Sequence, residues 1–456
     1  MAGGLCSCQW TRRRKQYKQR RLRDTEIGLT NSGIERGLSG SGGFTRILKI
    51  RFDLPNLLNP RSIDKELLMT DRIATIEVFP LKIPRDTPYL GPLEAGVQPS
   101  ERGYFIRPGN QTVYSIHDHS VLIKLTTEAG VVGWGESFGV VSPETVTTII
   151  QNLMVPLVRG RDPHDVVAIS EDIYNAMRVR GFFGGFYVDA LAGLDIALWD
   201  LRGKLTGLPI CKLLGSQRHT RLPVYVSGLP KATKAERAAL AKTWIDKGFT
   251  AVKFAAAVAY EGELAEMRAI REAIGPDPKI LCDFHWRYTD HEAIKLITAM
   301  EPYDLYVAEA PVQSEDMEGQ ARVAAAVKTP VAIGEELRTV YEYRPRFTQR
   351  CMSIIQPEMA HTGITAFWEI CRMAQAFHCR VMPHATIGVG IAQAASLQVS
   401  AALSNLVMHE YQHSIFDRNV RFVTGNMRCE AGYFYLPDGP GLGVEPRSEL
   451  FQYLLN

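Results

Sequence analysis

Several marks of a specialised protein are missing from this chain. Cysteine is sparse, eight in 456 residues without regular spacing. That excludes a disulfide framework and fits reduced intracellular thiols, including Cys282 as a small apolar filler inside a strand. Long apolar runs are absent. The nearest, Val389 to Val407, is interrupted by Gln393, Gln398, Ser400, Ser404 and Asn405, so no membrane partner is expected. Most of the chain also lacks excess positive charge. Residues 1–68 hold 14 Lys/Arg against 6 Asp/Glu, and the formal +3 of the whole leaves −5 on residues 69–456. A mildly acidic body gives no electrostatic case for nucleic acid. The expected compartment is the cytoplasm.

Residues 1–68 lack hydrophobic periodicity; they carry a basic run, Arg12–Arg23, and a Gly/Ser-rich stretch, Ser39–Gly43. The segment reads as a disordered leader, or one that is not translated because synthesis starts at Met69. A chain beginning at Met69 is expected to keep its stability.

Structure begins near Ile73. Ile73–Leu81 and Ser120–Thr126 read as strands and Pro143–Val158 as a helix, which gives a small α+β domain over residues 69–190. His117 and His119 form an HxH without a third ligand and read as a surface loop. From residue 191 to 427 the pattern changes. Short apolar runs, each followed by a helical stretch, deliver Lys253, Asp283, Glu309, Glu335, Glu358, His384 and Glu410 at steps of 30, 26, 26, 23, 26 and 26 residues. One strand, one helix and two loops need about 25 residues, so this is the beat of a (β/α) barrel, whose strand C-termini face one pocket. Residues 428–456 are turn-rich and are expected to return to the first domain.

Asp283, Glu309 and Glu335 end three successive strands. Carboxylates crowded at one place repel unless a cation joins them, and three hard oxygen ligands suit Mg²⁺.

These motifs resemble the enolase superfamily, in its mandelate racemase/muconate lactonizing enzyme branch, over roughly residues 71–450. The resemblance rests on Ala190–Gly215 (ALAGLDIALWDLRGKLTGLPICKLLG), Asp283-Phe284-His285, Ala308-Glu309-Ala310-Pro311 and Ile333-Gly334-Glu335. It implies a (β/α)7β modified TIM barrel under an N-terminal α+β capping domain, with essential Mg²⁺. It also implies abstraction of the proton α to a carboxylate. A cation gripping both carboxylate oxygens stabilises the enediolate that forms.

Within that resemblance His384, at the seventh strand end, is the base, and Glu358, at the sixth, orients it. The branch's dyad has Asp where this chain has Glu358. His285 follows Asp283 in the Asp-x-His pattern of members that dehydrate sugar acids, where the His is the general acid. Strand alternation would put both side chains on one face. Lys253 is expected to neutralise the substrate carboxylate and Glu410 to orient substrate. Where the branch commonly has Lys-x-Lys, this chain has Lys253-Phe254-Ala255, so the second base that a racemase needs is absent. One base and one acid suffice for dehydration. The expectation is an Mg²⁺-dependent acid-sugar dehydratase, a hydro-lyase giving a 2-keto-3-deoxy acid; the alternative is a racemase, epimerase or cycloisomerase of a related carboxylate or lactone. A homo-oligomer is expected, with Tyr89-Leu90-Gly91 and Arg180–Tyr187 as candidate specificity loops.

Overall fold

The Ala-rich sequence around Asp189 forms a helix from Gly185 to Thr206 that is buried along nearly its whole length from Tyr187 to Gly203. Its small residues answer a steric demand. A Cβ on Gly135 would stand 1.9 Å from the Gly193 carbonyl oxygen, and one on Gly193 would stand 2.1 Å from Ser137 Oγ. Helix and sheet can approach this closely only with glycine on both sides. The computed structural model describes residues 71–385 and 387–455, so the expectations for residues 1–68 lie outside it.

The sheet beneath that helix is the capping domain. Strands β1 (Ile73–Pro84), β4 (His117–Thr127) and β5 (Val132–Ser137) pair antiparallel in the order β1-β4-β5. Between β1 and β4 lies a separate hairpin, β2 (Tyr104–Arg107) and β3 (Thr112–Ser115), which the hydrophobic pattern does not announce. His117 and His119 fall inside β4, and His119 is buried with Nδ1 3.2 Å from the Val140 carbonyl. The surface-loop expectation for this HxH is therefore corrected: the strand starts three residues earlier than its apolar pattern suggests.

Eight parallel strands follow: β6 (Arg221–Ser227), β7 (Ala251–Ala255), β8 (Lys279–Asp283), β9 (Leu305–Glu309), β10 (Val331–Ile333), β11 (Ile354–Ile355), β12 (Arg380–Val381) and β13 (His409–Gln412). Neighbours pair in sequence order from β6 to β12, and β13 pairs back to β6. Val407 N to Val381 O (2.9 Å) and Glu410 N to Pro383 O (3.2 Å) close the ring. Their apolar sequences follow from burial on both faces. Three of the intervening helices open with the same Thr-x-x-Glu capping box, at Thr233/Glu236, Thr289/Glu292 and Thr339/Glu342, which satisfies amides left free at each helix start.

The barrel interior has a discrete apolar layer: Tyr225, Ala251, Leu281, Val307, Ala332, Ile354, Met382 and Met408 form their own cluster. Six of them lie in strands β6 to β11, while Met382 directly follows β12 and Met408 directly precedes β13. This layer is the floor on which the polar site stands.

The C-terminal segment first adds a hairpin to the barrel. Strands β14 (Arg428–Glu430) and β15 (Tyr433–Tyr435) pair with each other, and β15 pairs antiparallel with the start of β6. Further along, the chain reaches the cap, where Leu454 bridges Leu81 and the Phe451 ring lies 5.2 Å from Phe79 and 6.1 Å from Trp134.

Glu136, at the end of the cap sheet, joins the two domains. Its buried carboxylate accepts from Ser120 Oγ (2.6 Å), Val389 N (2.6 Å) and Ala392 N (2.9 Å). Val389 lies just before the helix Ile391–Ser400 and Ala392 in its first turn, shortly after His384. Glu136→Ala strands three buried donors, each worth roughly 1–3 kcal/mol. A melting temperature several degrees lower by calorimetry is expected, with Glu136→Gln intermediate. An unchanged melting temperature would show that this junction carries no stability.

Candidate active site

Side chains alternate along a strand, so residues two positions beyond the apolar floor point the same way. From the floor, two positions on are Ser227, Lys253, Asp283, Glu309, Gln356, His384 and Glu410. The polar site is thus the next layer of the same barrel. Glu335, three beyond Ala332, and Glu358, four beyond Ile354, come from the loops just above it.

Oxygens of Asp283, Glu309 and Glu335 lie within 4.8 Å of one another. Lys253 Nζ reaches Glu309 Oε1 at 2.6 Å and Glu410 Oε1 at 2.9 Å, and the Tyr225 ring lies 5.5 Å from it. Gln356 Nε2 donates to Glu309 Oε2 at 2.6 Å. Glu410 Oε2 accepts from the Ala385 amide at 2.9 Å. Burial opposes the Lys253 ammonium, but Glu309 and Glu410 outweigh it and raise its pKa well above the ordinary lysine value. Lys253 therefore faces four carboxylates, and the buried Glu335 Oε2 makes no hydrogen bond, although His384 Nε2 lies 3.2 Å away. The donor set fits a hard divalent cation held by Asp283, Glu309 and Glu335.

His384 Nδ1 lies 2.6 Å from Glu358 Oε2, whose other oxygen accepts from the Ala360 amide at 2.8 Å. A carboxylate only accepts, so Nδ1 carries a hydrogen and Nε2 is the nitrogen turned to the cluster. Nε2 stands 3.2 Å from Glu335 Oε2 and 3.9 Å from Glu410 Oε2. The longer Glu side chain thus reaches the imidazole. Burial opposes a charged imidazole here, but Glu335, Glu410 and Glu358 outweigh it and raise the His384 pKa well above the ordinary value.

His285 reaches the site by a different route from strand alternation. Strand β8 stops at Asp283, and His285 takes a left-handed backbone (φ 52°). Its amide donates to Asp283 Oδ1 at 2.9 Å, and Nε2 folds back to 3.1 Å from Asp283 Oδ2. Burial, then the Lys253 charge, lowers its pKa to about 4. At neutral pH the ring is uncharged.

Burial raises the Asp283 carboxyl to about 6 and also raises Glu309 and Glu335, the last well above the ordinary value. Such groups hold more protons folded than unfolded. Their contribution to metal-free stability is full below the unfolded value and is lost as pH rises through the folded one. A divalent cation reverses that loss, because it binds the ionised form. The rise in melting temperature on saturation with Mg²⁺ should therefore be larger at about pH 8 than at about pH 5. Scanning calorimetry at both pH values checks this; an equal or larger rise in acid contradicts the assignment.

The site opens into a cavity of about 310 Å³ whose far wall is the cap: Tyr89, Leu90, Asn110, Tyr114 and Phe138. Tyr89-Leu90 lines it as expected. Arg180–Tyr187 does not, and its Phe182 and Phe183 are exposed on the outside. The β2–β3 hairpin takes that place. Ala255 also lines the cavity, where a second lysine of a Lys-x-Lys pair would stand. Among the described residues no helix is long and apolar enough to cross a membrane.

Known proteins share this fold. Residues 98–215 match the mandelate racemase/muconate lactonizing enzyme N-terminal domain, and residues 236–450 match the enolase C-terminal domain-like family. A crystal structure of a candidate isomerase from Sinorhizobium meliloti is 54% identical, with a TM-score of 0.83 over 84% of this chain and 100% of that one. D-galactonate dehydratase of Ralstonia nicotianae is 31% identical over 73% of this chain and 90% of its own. D-galactarolactone cycloisomerase of Agrobacterium fabrum is 31% identical over 71% and 88%. With its modified TIM barrel and capping domain, the chain is an enzyme of the mandelate racemase/muconate lactonizing enzyme branch of the enolase superfamily.

Proposed function

We propose that the protein is an Mg²⁺-dependent hydro-lyase that removes the α-proton of a sugar acid and eliminates the β-hydroxyl, giving a 2-keto-3-deoxy acid. The observation that carries this reading is one imidazole oriented against the carboxylate cluster, with no second lysine on strand β7 to oppose it. His384 is fixed by Glu358, and Ala255 stands where a second base would be. Mg²⁺ held by Asp283, Glu309 and Glu335 would supply positive charge to stabilise the enediolate. Lys253 adds a second positive charge for the substrate carboxylate, and Glu410 and Gln356 hold Lys253 and Glu309 in place. His384 Nε2 takes the α-proton. The C–O bond to the β-hydroxyl then breaks, and the oxygen leaves with a proton as water. His285 is assigned as that donor. It is uncharged in the free enzyme, so the negative charge of bound substrate must recharge it before it can act.

His285→Asn in D₂O tests the assignment. Exchange of the α-proton should persist while keto-acid formation slows about 10²–10⁴-fold. An undiminished rate would mean that His384 returns its own proton to the leaving oxygen. Accumulation of the α-epimer without keto acid would instead establish a racemase. The cycloisomerase relative favours a second reading, in which the same base acts and a lactone ring oxygen departs instead of hydroxide. Turnover of an aldarolactone but no aldonate would select it.

A further inference from the structure

A second imidazole opens onto the same cavity. His361 lies in the first turn of the helix Met359–Ala376 and is buried. Its Nδ1 is 2.6 Å from Asp189 Oδ1 on the cap-side helix. Asp189 also accepts Nε and Nη2 of Arg338, at 2.7 and 3.2 Å. Phe138 covers the ring, with centroids 4.0 Å apart at 33°.

A carboxylate only accepts, so Asp189 fixes the hydrogen on Nδ1. Arg338 grips the same carboxylate from its other side, so Asp189 is held in place as it orients the ring. Nε2 then presents a lone pair, and it has no partner among the described residues. His409 shows the contrast. Both its nitrogens are occupied, by Ser396 Oγ at 2.7 Å and the Glu410 carbonyl at 2.9 Å, as befits a packing histidine. A held imidazole with a free nitrogen on a cavity wall is built to meet a ligand.

We infer that His361 binds substrate, accepting through Nε2 a hydrogen bond from a hydroxyl beyond the α-carbon. A lone pair requires a donor, which a hydroxyl supplies and a carboxylate does not. The α-carbon end is already committed to the carboxylate cluster, Lys253 and His384. This role rests on the sugar-acid reading above.

The test compares ligands with and without distal hydroxyls on the Mg²⁺-loaded full chain. Calorimetry measures affinity for glycolate and for D-galactonate, D-gluconate and L-arabinonate. His361→Phe keeps the stack on Phe138 and leaves Asp189 paired with Arg338. It should weaken the aldonate that binds best by about tenfold, a neutral hydrogen bond's worth, and leave glycolate unchanged. His361→Gln should recover part of the loss, and it carries the same comparison if the Phe variant does not fold. Equal weakening of glycolate and aldonate, or no weakening, overturns the role of His361 while leaving the sugar-acid reading intact. A wild type that binds glycolate but none of the aldonates rejects both.

Discussion

His384→Asn should abolish exchange of the substrate α-proton with solvent deuterium, lowering turnover by about 10²–10⁴-fold, the usual cost of losing a positioned base. The geometry explains why the effect should fall on kcat. Nδ1 is committed to Glu358 at 2.6 Å and Nε2 faces the carboxylate cluster, so removal of the ring leaves no imidazole acceptor held against that cluster by Glu358. Lys253 cannot substitute: it is bound between Glu309 and Glu410 and held strongly protonated. Glu358→Gln should be milder, since the amide keeps the contact but can hold the wrong tautomer. NMR of the α-position in D₂O measures both variants. Wild-type exchange in His384→Asn would mean that another group is the base.

The second large effect concerns the metal. Chelation should remove activity, and Mg²⁺ should restore it. Asp283→Asn and Glu335→Gln should weaken Mg²⁺ binding by calorimetry and lower turnover on the order of 10³-fold, from several kcal/mol of lost charge stabilisation. The two variants differ in what they leave behind. Asparagine can still accept the His285 amide that Asp283 Oδ1 holds. Glutamine at 335 removes a charge next to His384 Nε2, so this variant should also weaken the base by lowering the His384 pKa. Full turnover in a rigorously metal-free preparation would end the metal assignment.

Much of this site is legible in the amino-acid sequence, for a physical reason. Strand ends recur at nearly one period, so Asp283, Glu309, Glu335, Glu358, His384 and Glu410 stand out by spacing alone. Gln356 and Ser227 are equally legible by alternation, two positions beyond Ile354 and Tyr225, but neither has a charge to draw attention. His285 lies where the sequence pattern puts it but by another route, because a left-handed turn after Asp283 replaces the expected strand continuation. Asp189 and His361 cannot be paired from sequence: they are 172 residues apart and meet only because the helix Gly185–Thr206 packs against the helix Met359–Ala376. The β2–β3 hairpin escapes detection because its strands have four residues each, too short for periodicity to register.

The bridge between Leu454 and Leu81 has a consequence for biosynthesis. The first strand of the cap is made early, yet its edge is covered by residues that are synthesised only after the whole barrel. Until then that edge and the Phe79 and Trp134 rings stay uncovered by Phe451, a condition that favours chaperone contact or aggregation. The cap is thus sealed after the barrel has been made, and loss of residues 451–454 should lower solubility while leaving every residue of the cavity in the chain.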